Sequence, residues 1–231
     1  MKIPVLMYHS VSNDDFFLSV KTNNFEKQLK YLYKNGFKSI DFGEEIISKK
    51  NVIITFDDGY KNLLTNALPL LKKYNFKATC FLVNDLIGKF NLWDEKKSSF
   101  VKKELLNNID VNEWITAGMN IGSHTNTHEN LTLLGNENLN YEIADSKKKL
   151  EDLFSKKVES FSYPYGKYNE KISEIVKKNY NFAVTTIRSR YKINIHMKNK
   201  IPRIHINTDT GMFKFFLKIN TFYEDIKYKN V

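Results

Sequence analysis

Two adjacent aspartates, Asp57 and Asp58, stand at the end of an apolar run and directly before Gly59. The apolar and β-branched residues over 52–56 predict a buried parallel strand, so both carboxylates fall at its carboxyl-terminal edge, where parallel α/β folds bind ligands. Neighbouring strand residues point to opposite faces, and a turn at Gly59 is needed to bring both acids into one site. The alternative interpretation is that they only cap a helix starting near Tyr60.

A pair of histidines favours a functional interpretation of the aspartates. His124 and His128 lie four residues apart, after a second predicted strand over 120–123. Histidines in such a loop are often incidental when seen alone. Two imidazoles with one strand-end carboxylate, however, form a three-ligand site for a divalent metal with an open position for water. One aspartate is then a metal ligand, and the other is free to act as a base.

A third segment, 161–168, ends another predicted strand with Pro164 and Gly166 in a tight turn. One interpretation is a plain aromatic turn. In a hydrolase the same turn can aim a backbone N–H at an oxygen that becomes negatively charged in the transition state.

Strand-like and helix-like segments alternate along the chain, which implies a mostly parallel sheet with helices outside, and we favour a closed barrel. Predicted strands cover 3–9, 37–40, 52–56, 77–83, 120–123, 160–163, 182–186 and 204–206. The main predicted helices cover 63–74, 139–154, 172–180 and 212–226. No domain boundary stands out, so we predict one domain over 1–231. A less regular rim insertion around 84–110 carries Trp93 and a helical pattern over 100–106.

The composition is that of a globular protein, with 42% hydrophobic and 14% aromatic residues in 231. No apolar run reaches the roughly 20 residues that cross a bilayer. Met1 leads directly into the first strand without the pattern of a signal peptide, from which we expect a cytoplasmic location. Cys80 is the only cysteine, so an intrachain disulfide is impossible.

The formal net charge of +10 raises nucleic acid and anionic membranes as partners. The lysines, however, occur as short pairs and triples, such as Lys72 and Lys73, without a basic stripe interleaved with aromatic residues. We therefore predict a solvated surface and no nucleic-acid partner. Anionic glycans and lipid-linked sugars stay open as ligands, and the sequence does not indicate an oligomeric state.

Over nearly its full length the chain resembles the polysaccharide deacetylase family, the family 4 carbohydrate esterases that share the NodB homology domain. Three motifs carry the resemblance: 55–59 (Thr-Phe-Asp-Asp-Gly), 123–128 (Ser-His-Thr-Asn-Thr-His) and 163–166 (Tyr-Pro-Tyr-Gly). The opening segment 4–11 is similar to the subgroup that includes the poly-N-acetylglucosamine deacetylases of biofilm systems. The resemblance implies a distorted (β/α) barrel with about seven parallel strands.

The resemblance also implies a metal-dependent N-deacetylase acting on an N-acetylated sugar in a polysaccharide, an oligosaccharide or a lipid-linked precursor. Asp57 would be the general base, while Pro164 and Tyr165 would contact the substrate, with the N–H of Tyr165 facing the oxyanion. The expected ion is Zn²⁺, with Co²⁺, Ni²⁺ or Mn²⁺ as alternatives. Its implied ligands are Asp58, His124 and His128.

The general acid that protonates the leaving amine is open between two histidines. Most family members use an apolar-x-His motif near the carboxyl end, and His205 matches it poorly because Arg203 stands at the apolar position. In the biofilm subgroup the motif is moved to the amino terminus, which corresponds here to 6–9. We predict His9, which would end the first strand on the metal's side of the barrel, whereas His205 lies within a strand.

One position departs from the family pattern. Many members carry an arginine two residues before the proline of the third motif, where it holds the base, and this chain has Ser162 there. Arg203 is the candidate to supply that charge from the neighbouring strand. Two alternatives to a glycan deacetylase stay open: a deacylase of a small non-glycan amide, and a non-catalytic glycan-binding domain that keeps the metal site.

Overall fold

Seven parallel strands close into a barrel in a computed structural model of the chain, which describes residues 1–193 and 195–228. Residues 194 and 229–231 of the predicted domain lie outside that description. The strands are β1 (Val5–Tyr8), β2 (Asn51–Phe56), β3 (Thr79–Leu82), β4 (Asn120–Ser123), β5 (Ser160–Ser162), β6 (Phe182–Arg188) and β7 (Ile201–His205). Each strand pairs with the next, and β7 pairs with β1. The predicted (β/α) barrel is thereby confirmed.

The helices lie in the connections between these strands or follow the last strand. They are α1 (Thr22–Lys34), α2 (Leu68–Lys73), α3 (Asn108–Thr116), α4 (Asn136–Asn140), α5 (Ser146–Phe154), α6 (Glu170–Asn179), α7 (Met212–Asn220) and α8 (Tyr223–Lys227). A π-helical segment, Leu63–Ala67, precedes α2, and another, Tyr141–Asp145, joins α4 to α5. The prediction of one continuous helix over 212–226 is wrong, because non-helical residues separate α7 from α8.

Strand alternation separates two hydrophobic clusters. Even-numbered residues of β2, such as Ile54, belong to the larger cluster that includes the buried face of α1, while Ile53 belongs to a smaller cluster with Val5 and Phe81. Burial of one such aliphatic side chain is worth about 1.5–3 kcal/mol. Because successive side chains alternate, Thr55 and the residue after the strand, Asp57, follow Ile53 on the inner face. The sequence of β2 therefore directs Asp57 into the barrel.

The rim insertion contains two short 3₁₀ helices, Asn84–Leu86 and Leu92–Asp94, before α3 begins. The helix predicted over 100–106 is wrong. Leu105 instead forms an isolated antiparallel bridge with Tyr60. Tertiary burial of this extended segment overrides the helical spacing of its apolar residues. Among the described residues, no helix is both long and apolar enough to span a membrane.

Candidate metal and catalytic site

The turn after β2 brings both aspartates into one cavity. Asp58 and Gly59 have positive φ angles of 73° and 74°. Holding a non-glycine residue there costs on the order of 1–3 kcal/mol, so the surrounding packing must enforce it. The positive φ favours glycine at position 59, and a Cβ there would also lie 2.9 Å from Cδ2 of Leu82. Both carboxylates consequently line the same cavity, so the two aspartates belong to one site.

Asp58, His124 and His128 converge on one point. The Nε2 atoms of the two histidines lie 3.4 and 3.5 Å from Oδ1 of Asp58. One ligand atom from each residue lies within 4.8 Å of the others, and all three residues are buried. Burial would raise the pKa of Asp58, but the two histidines hold it well below its usual range. Two imidazoles and an ionised carboxylate are a donor set that suits Zn²⁺ and related divalent ions.

A hydrogen bond fixes the proton of His124. Its Nδ1 lies 2.7 Å from the carbonyl oxygen of Ser162, and because a carbonyl can only accept, Nδ1 is the donor. The lone pair of His124 is then on Nε2, facing Asp58. Metal-binding histidines usually carry such an outer hydrogen bond, which sets both the tautomer and the ring orientation. This second observation supports the fit of the site to a metal.

Aromatic packing orients the other imidazole. Trp93 stacks on His128 with ring centroids 4.5 Å apart, and Tyr165 meets the same ring edge-on at 4.7 Å. Nδ1 of His128 is buried and has no hydrogen-bond partner among the described residues. Aromatic packing therefore fixes the ring orientation of His128, whereas a hydrogen bond to the Ser162 carbonyl orients His124.

Glu142 holds the loop between the two histidines. Its carboxylate accepts hydrogen bonds from the N–H groups of Asn126 and Thr127 at 2.8 and 3.0 Å, and from the Thr127 hydroxyl at 2.6 Å. The loop needs this support because Thr125 and His128 both have positive φ. Sequence reasoning missed Glu142, since it lies in the π-helical segment after α4 and no local spacing links it to the loop.

Asp57 forms a buried ion pair with Arg203. Nη1 and Nη2 of Arg203 donate to the two carboxylate oxygens, each at 2.7 Å. The remaining donors of the guanidinium bind the Thr185 carbonyl and the hydroxyls of Thr55 and Ser162. Burial would raise the pKa of Asp57, but Arg203 lowers it to about 2. Asp57 is thus ionised at neutral pH, and Arg203 supplies the charge that Ser162 lacks.

The two candidate acids have different surroundings. His9 lines the cavity that contains both aspartates. Burial lowers its pKa, while the charges of Asp58 and Asp57 act in the opposite direction. His205 does not line that cavity. Its Nδ1 accepts a hydrogen bond from Nε of Arg188 at 3.2 Å, and its Nε2–H donates to the Thr186 carbonyl at 2.9 Å. Since both ring nitrogens are engaged, the geometry favours His9.

The third motif places Tyr165, but not Pro164, at the cavity. Tyr165 adopts a positive φ of 56°, its ring lines the cavity, and its hydroxyl donates to Asp94 at 3.1 Å. Pro164 is buried in the turn and is not among the residues that line the cavity. The predicted contact of Pro164 with a substrate is therefore not supported by the geometry, and its part is to shape the turn.

Comparison with known proteins decides the family. Residues 45–183 match the sequence model described as polysaccharide deacetylase. The chain belongs to the polysaccharide deacetylase family. Its relatives include proteins named as polysaccharide N-deacetylases, so the motif-based assignment is confirmed.

Three relatives of this family show the extent of the similarity. The Bacillus subtilis protein YxkH, provisionally named a polysaccharide deacetylase, is 36% identical over 195 residues, covering 80% of this chain and 64% of its own. A poly-β-1,6-N-acetyl-D-glucosamine N-deacetylase of Staphylococcus aureus strain MRSA252 is 29% identical over 209 residues, covering 83% and 69%. A polysaccharide deacetylase structure from Bacillus cereus superposes with a TM-score of 0.82 at 28% identity, covering 95% and 69%. The chain thus spans about two thirds of these relatives.

In this polysaccharide deacetylase family member, the candidate site forms the floor of a cavity of about 400 Å³. The rim insertion contributes Trp93, Asp94 and Phe100 to its wall, and the loop after β1 contributes Phe16 and Phe17. A mostly apolar wall with a few converging polar groups is typical of a small-ligand site. Of the residues that line the wall, the sequence had indicated a substrate contact for Tyr165 and no role for Trp93, Asp94, Phe100, Phe16 or Phe17, because residues in loops carry no period that marks them as cavity lining.

Proposed function

We propose that this chain hydrolyses the N-acetyl group of N-acetylglucosamine in a polysaccharide, an oligosaccharide or a lipid-linked glycan, with Zn²⁺ as the expected ion. The observation that carries the proposal is the two-point hydrogen bonding of Asp57 by Arg203 beside three converging candidate metal ligands, Asp58, His124 and His128. The Staphylococcus aureus relative, named for a β-1,6-linked N-acetylglucosamine polymer, supports the substrate class.

A divalent ion on Asp58, His124 and His128 would supply an acidified water and positive charge beside the acetamide oxygen. Asp57 removes a proton as the water adds to the carbonyl carbon, and Arg203 keeps Asp57 ionised and correctly oriented until then. The backbone N–H of Tyr165 donates to the carbonyl oxygen as it gains charge.

His9 completes the reaction in this proposal. Cleavage of the C–N bond leaves a basic sugar amine, which must gain a proton as it departs, while the acyl group leaves as acetate. His9 lies in the same cavity as Asp57 and is the residue we assign to give that proton. Trp93 and Tyr165 enclose the site from the rim side, which limits bulk water around the reacting amide.

The direct test is acetate release from N-acetylglucosamine oligomers with added Zn²⁺. We expect Asp57→Asn to reduce the rate by at least about 10²-fold, since it loses the base. The exposed aspartate of α5, Asp152, offers a matched control, and Asp152→Asn should keep the wild-type rate.

The other outcomes of this test are equally informative. Equal acetate release by wild type and Asp57→Asn would remove Asp57 as the base. Release from small N-acyl amides but from no glycan would favour a small-molecule deacylase. Zinc and glycan binding without acetate release from any substrate would favour a non-catalytic glycan-binding domain.

A further inference from the structure

His205, which the proposed reaction does not use, positions an arginine. The Thr186 carbonyl fixes the proton of His205 on Nε2, so Nδ1 accepts from Nε of Arg188. Burial and the charge of Arg188 lower the pKa of His205 to about 3, which keeps the imidazole neutral and able to accept. The guanidinium of Arg188 also lies 4.4 Å from the ring centroid of Tyr228. Two contacts therefore hold Arg188 in one orientation.

The terminal nitrogens of Arg188 make no side-chain hydrogen bond in the part of the chain that the structure describes. Of the three side-chain nitrogens of Arg188, only Nε donates a hydrogen bond to another side chain within residues 1–193 and 195–228. No carboxylate in those residues forms an ion pair with Arg188. A guanidinium with both terminal nitrogens available presents the fork that binds carboxylate and phosphate oxygens at two points.

Arg188 lies on a path that starts at the candidate active site. Tyr165 and Thr186 line the first cavity, which contains Asp57, and they also line a second cavity of about 560 Å³. Arg188 is one of the residues that line this second cavity. Arg188 is two residues beyond Thr186 on β6, or about 7 Å along the strand. Arg188 also lines a third cavity of about 230 Å³. Phe17 lines both this third cavity and the first cavity. A ligand longer than one sugar can therefore reach Arg188 from the site.

The charge around Arg188 is positive. Lys218 in the third cavity is paired with Glu224, and among the described residues that line this cavity Asp209 carries the one carboxylate. Three cationic side chains of the same wall have no carboxylate partner in the described part of the chain: Arg188, Lys214 and Lys227. One aspartate does not neutralise three cations, so the region attracts an anion.

We propose that Arg188 binds an anionic substituent, a phosphate or a carboxylate, carried by the glycan outside the sugar that is deacetylated. This inference rests on the proposed function and narrows its substrate class to anionic glycans. His205 is a positioning residue in this scheme, because it acts only through Arg188. A polymer that already carries free amines would be a poor ligand for the same region, since its charge is of the same sign.

The experiment compares three N-acetylglucosamine oligomers of equal length: neutral, phosphate-bearing and uronic acid-bearing. Acetate release gives KM for each, and calorimetry gives binding without turnover. We expect the wild type to have a KM at least about tenfold lower for one or both anionic oligomers, because charge-assisted hydrogen bonds are among the stronger ones. Which of the two is favoured identifies the anion.

Three variants separate a specific contact from general damage. Arg188→Gln should bring the ratio of neutral to anionic KM close to one, and Arg188→Lys should give an intermediate ratio because it keeps charge without the fork. Arg190→Gln is the matched control: Arg190 is two residues away but faces Asp225 and Phe222, and the variant should keep the wild-type ratio.

The outcomes distinguish this inference from the proposed function. Acetate release with no preference for anionic oligomers, or a preference that Arg188→Gln retains, overturns the inference and leaves the deacetylase. If no oligomer releases acetate, but anionic oligomers bind the wild type at least tenfold more tightly than they bind Arg188→Gln, the anion site stands and the proposed function fails.

Discussion

Arg203 and Asp57, 146 positions apart in the sequence, face each other inside the barrel with two parallel hydrogen bonds of 2.7 Å. Arg203 is fully buried, and all five of its N–H donors have partners in Asp57, Thr55, Ser162 and the Thr185 carbonyl. Because removing one partner of a buried pair leaves the other charge uncompensated, this pair couples the stability of the barrel to the ionisation of the base.

The first prediction concerns acid stability. The folded-state pKa of Asp57 is about 2, below its usual 3.8, so the pair stabilises the native state above about pH 4. This contribution, about 2 kcal/mol, is lost as the pH falls from about 4 to 2. Urea unfolding as a function of pH should show this loss in the wild type and a smaller one in Arg203→Gln. The same slope in both proteins would contradict the assigned pair.

A second prediction tests whether Arg203 does the work of the arginine that many family members carry at the position of Ser162. The Ser162 hydroxyl is within 3.1–3.2 Å of both Arg203 and Asp57, so an arginine at 162 starts beside the base. We expect Arg203→Ser to lose at least about tenfold in activity, and the double variant Ser162→Arg with Arg203→Ser to regain part of it. A double variant no more active than Arg203→Ser would show that the two positions are not exchangeable.

Strand-end chemistry was the part of this site that the sequence could predict. Asp57, His124 and His9 each follow a strand directly, Asp58 comes next in the turn before Gly59, and the shared barrel edge brings these residues together. Glu142 could not be found in this way, because its partners depend on how a π-helical segment packs against a distant loop. The helix expected over 100–106 failed for a related reason: Leu105 is buried by a bridge to Tyr60, which local spacing does not encode.

The third prediction is that metal binding stabilises the fold. Asp58, His124 and His128 are preassembled, so an ion that binds the native state raises its stability by about 2.7 kcal/mol at 100 times the dissociation constant. For a chain of this size that corresponds to an increase of about 5–10 °C in Tm when Zn²⁺ is added to chelator-treated protein. Asp58→Asn should lose most of this increase, whereas Asp152→Asn should keep it. An equal increase in Asp58→Asn would exclude that carboxylate as a ligand.

The fourth prediction separates the two candidate acids. His9→Gln should lower kcat for acetate release by about 10²–10⁴-fold, with a smaller change in KM, because the proton is needed only as the C–N bond breaks. His196, which accepts a hydrogen bond from the Lys192 N–H away from the cavity, is a matched control, and His196→Gln should keep the wild-type kcat. A larger loss in His205→Gln than in His9→Gln would transfer the role to His205.

The last prediction is that Trp93 acts on the metal through His128. The Trp93 ring stacks on the imidazole of His128, whose Nδ1 lacks a hydrogen-bond partner among the described residues. Removal of the Trp93 ring therefore lets this imidazole rotate. Trp93→Ala should weaken Zn²⁺ binding by about tenfold, within the range for groups that support metal ligands, and Trp93→Phe should keep most of the affinity. Competition with a chelating dye measures this affinity without turnover.

Phe100→Ala is the control for this prediction. It removes an aromatic ring from the same cavity wall and should leave the affinity for Zn²⁺ unchanged, since Phe100 has no ring contact with His128 in the described part of the chain. Equal weakening in both alanine variants would mean that general closure of the cavity, rather than the stack on His128, sets the affinity.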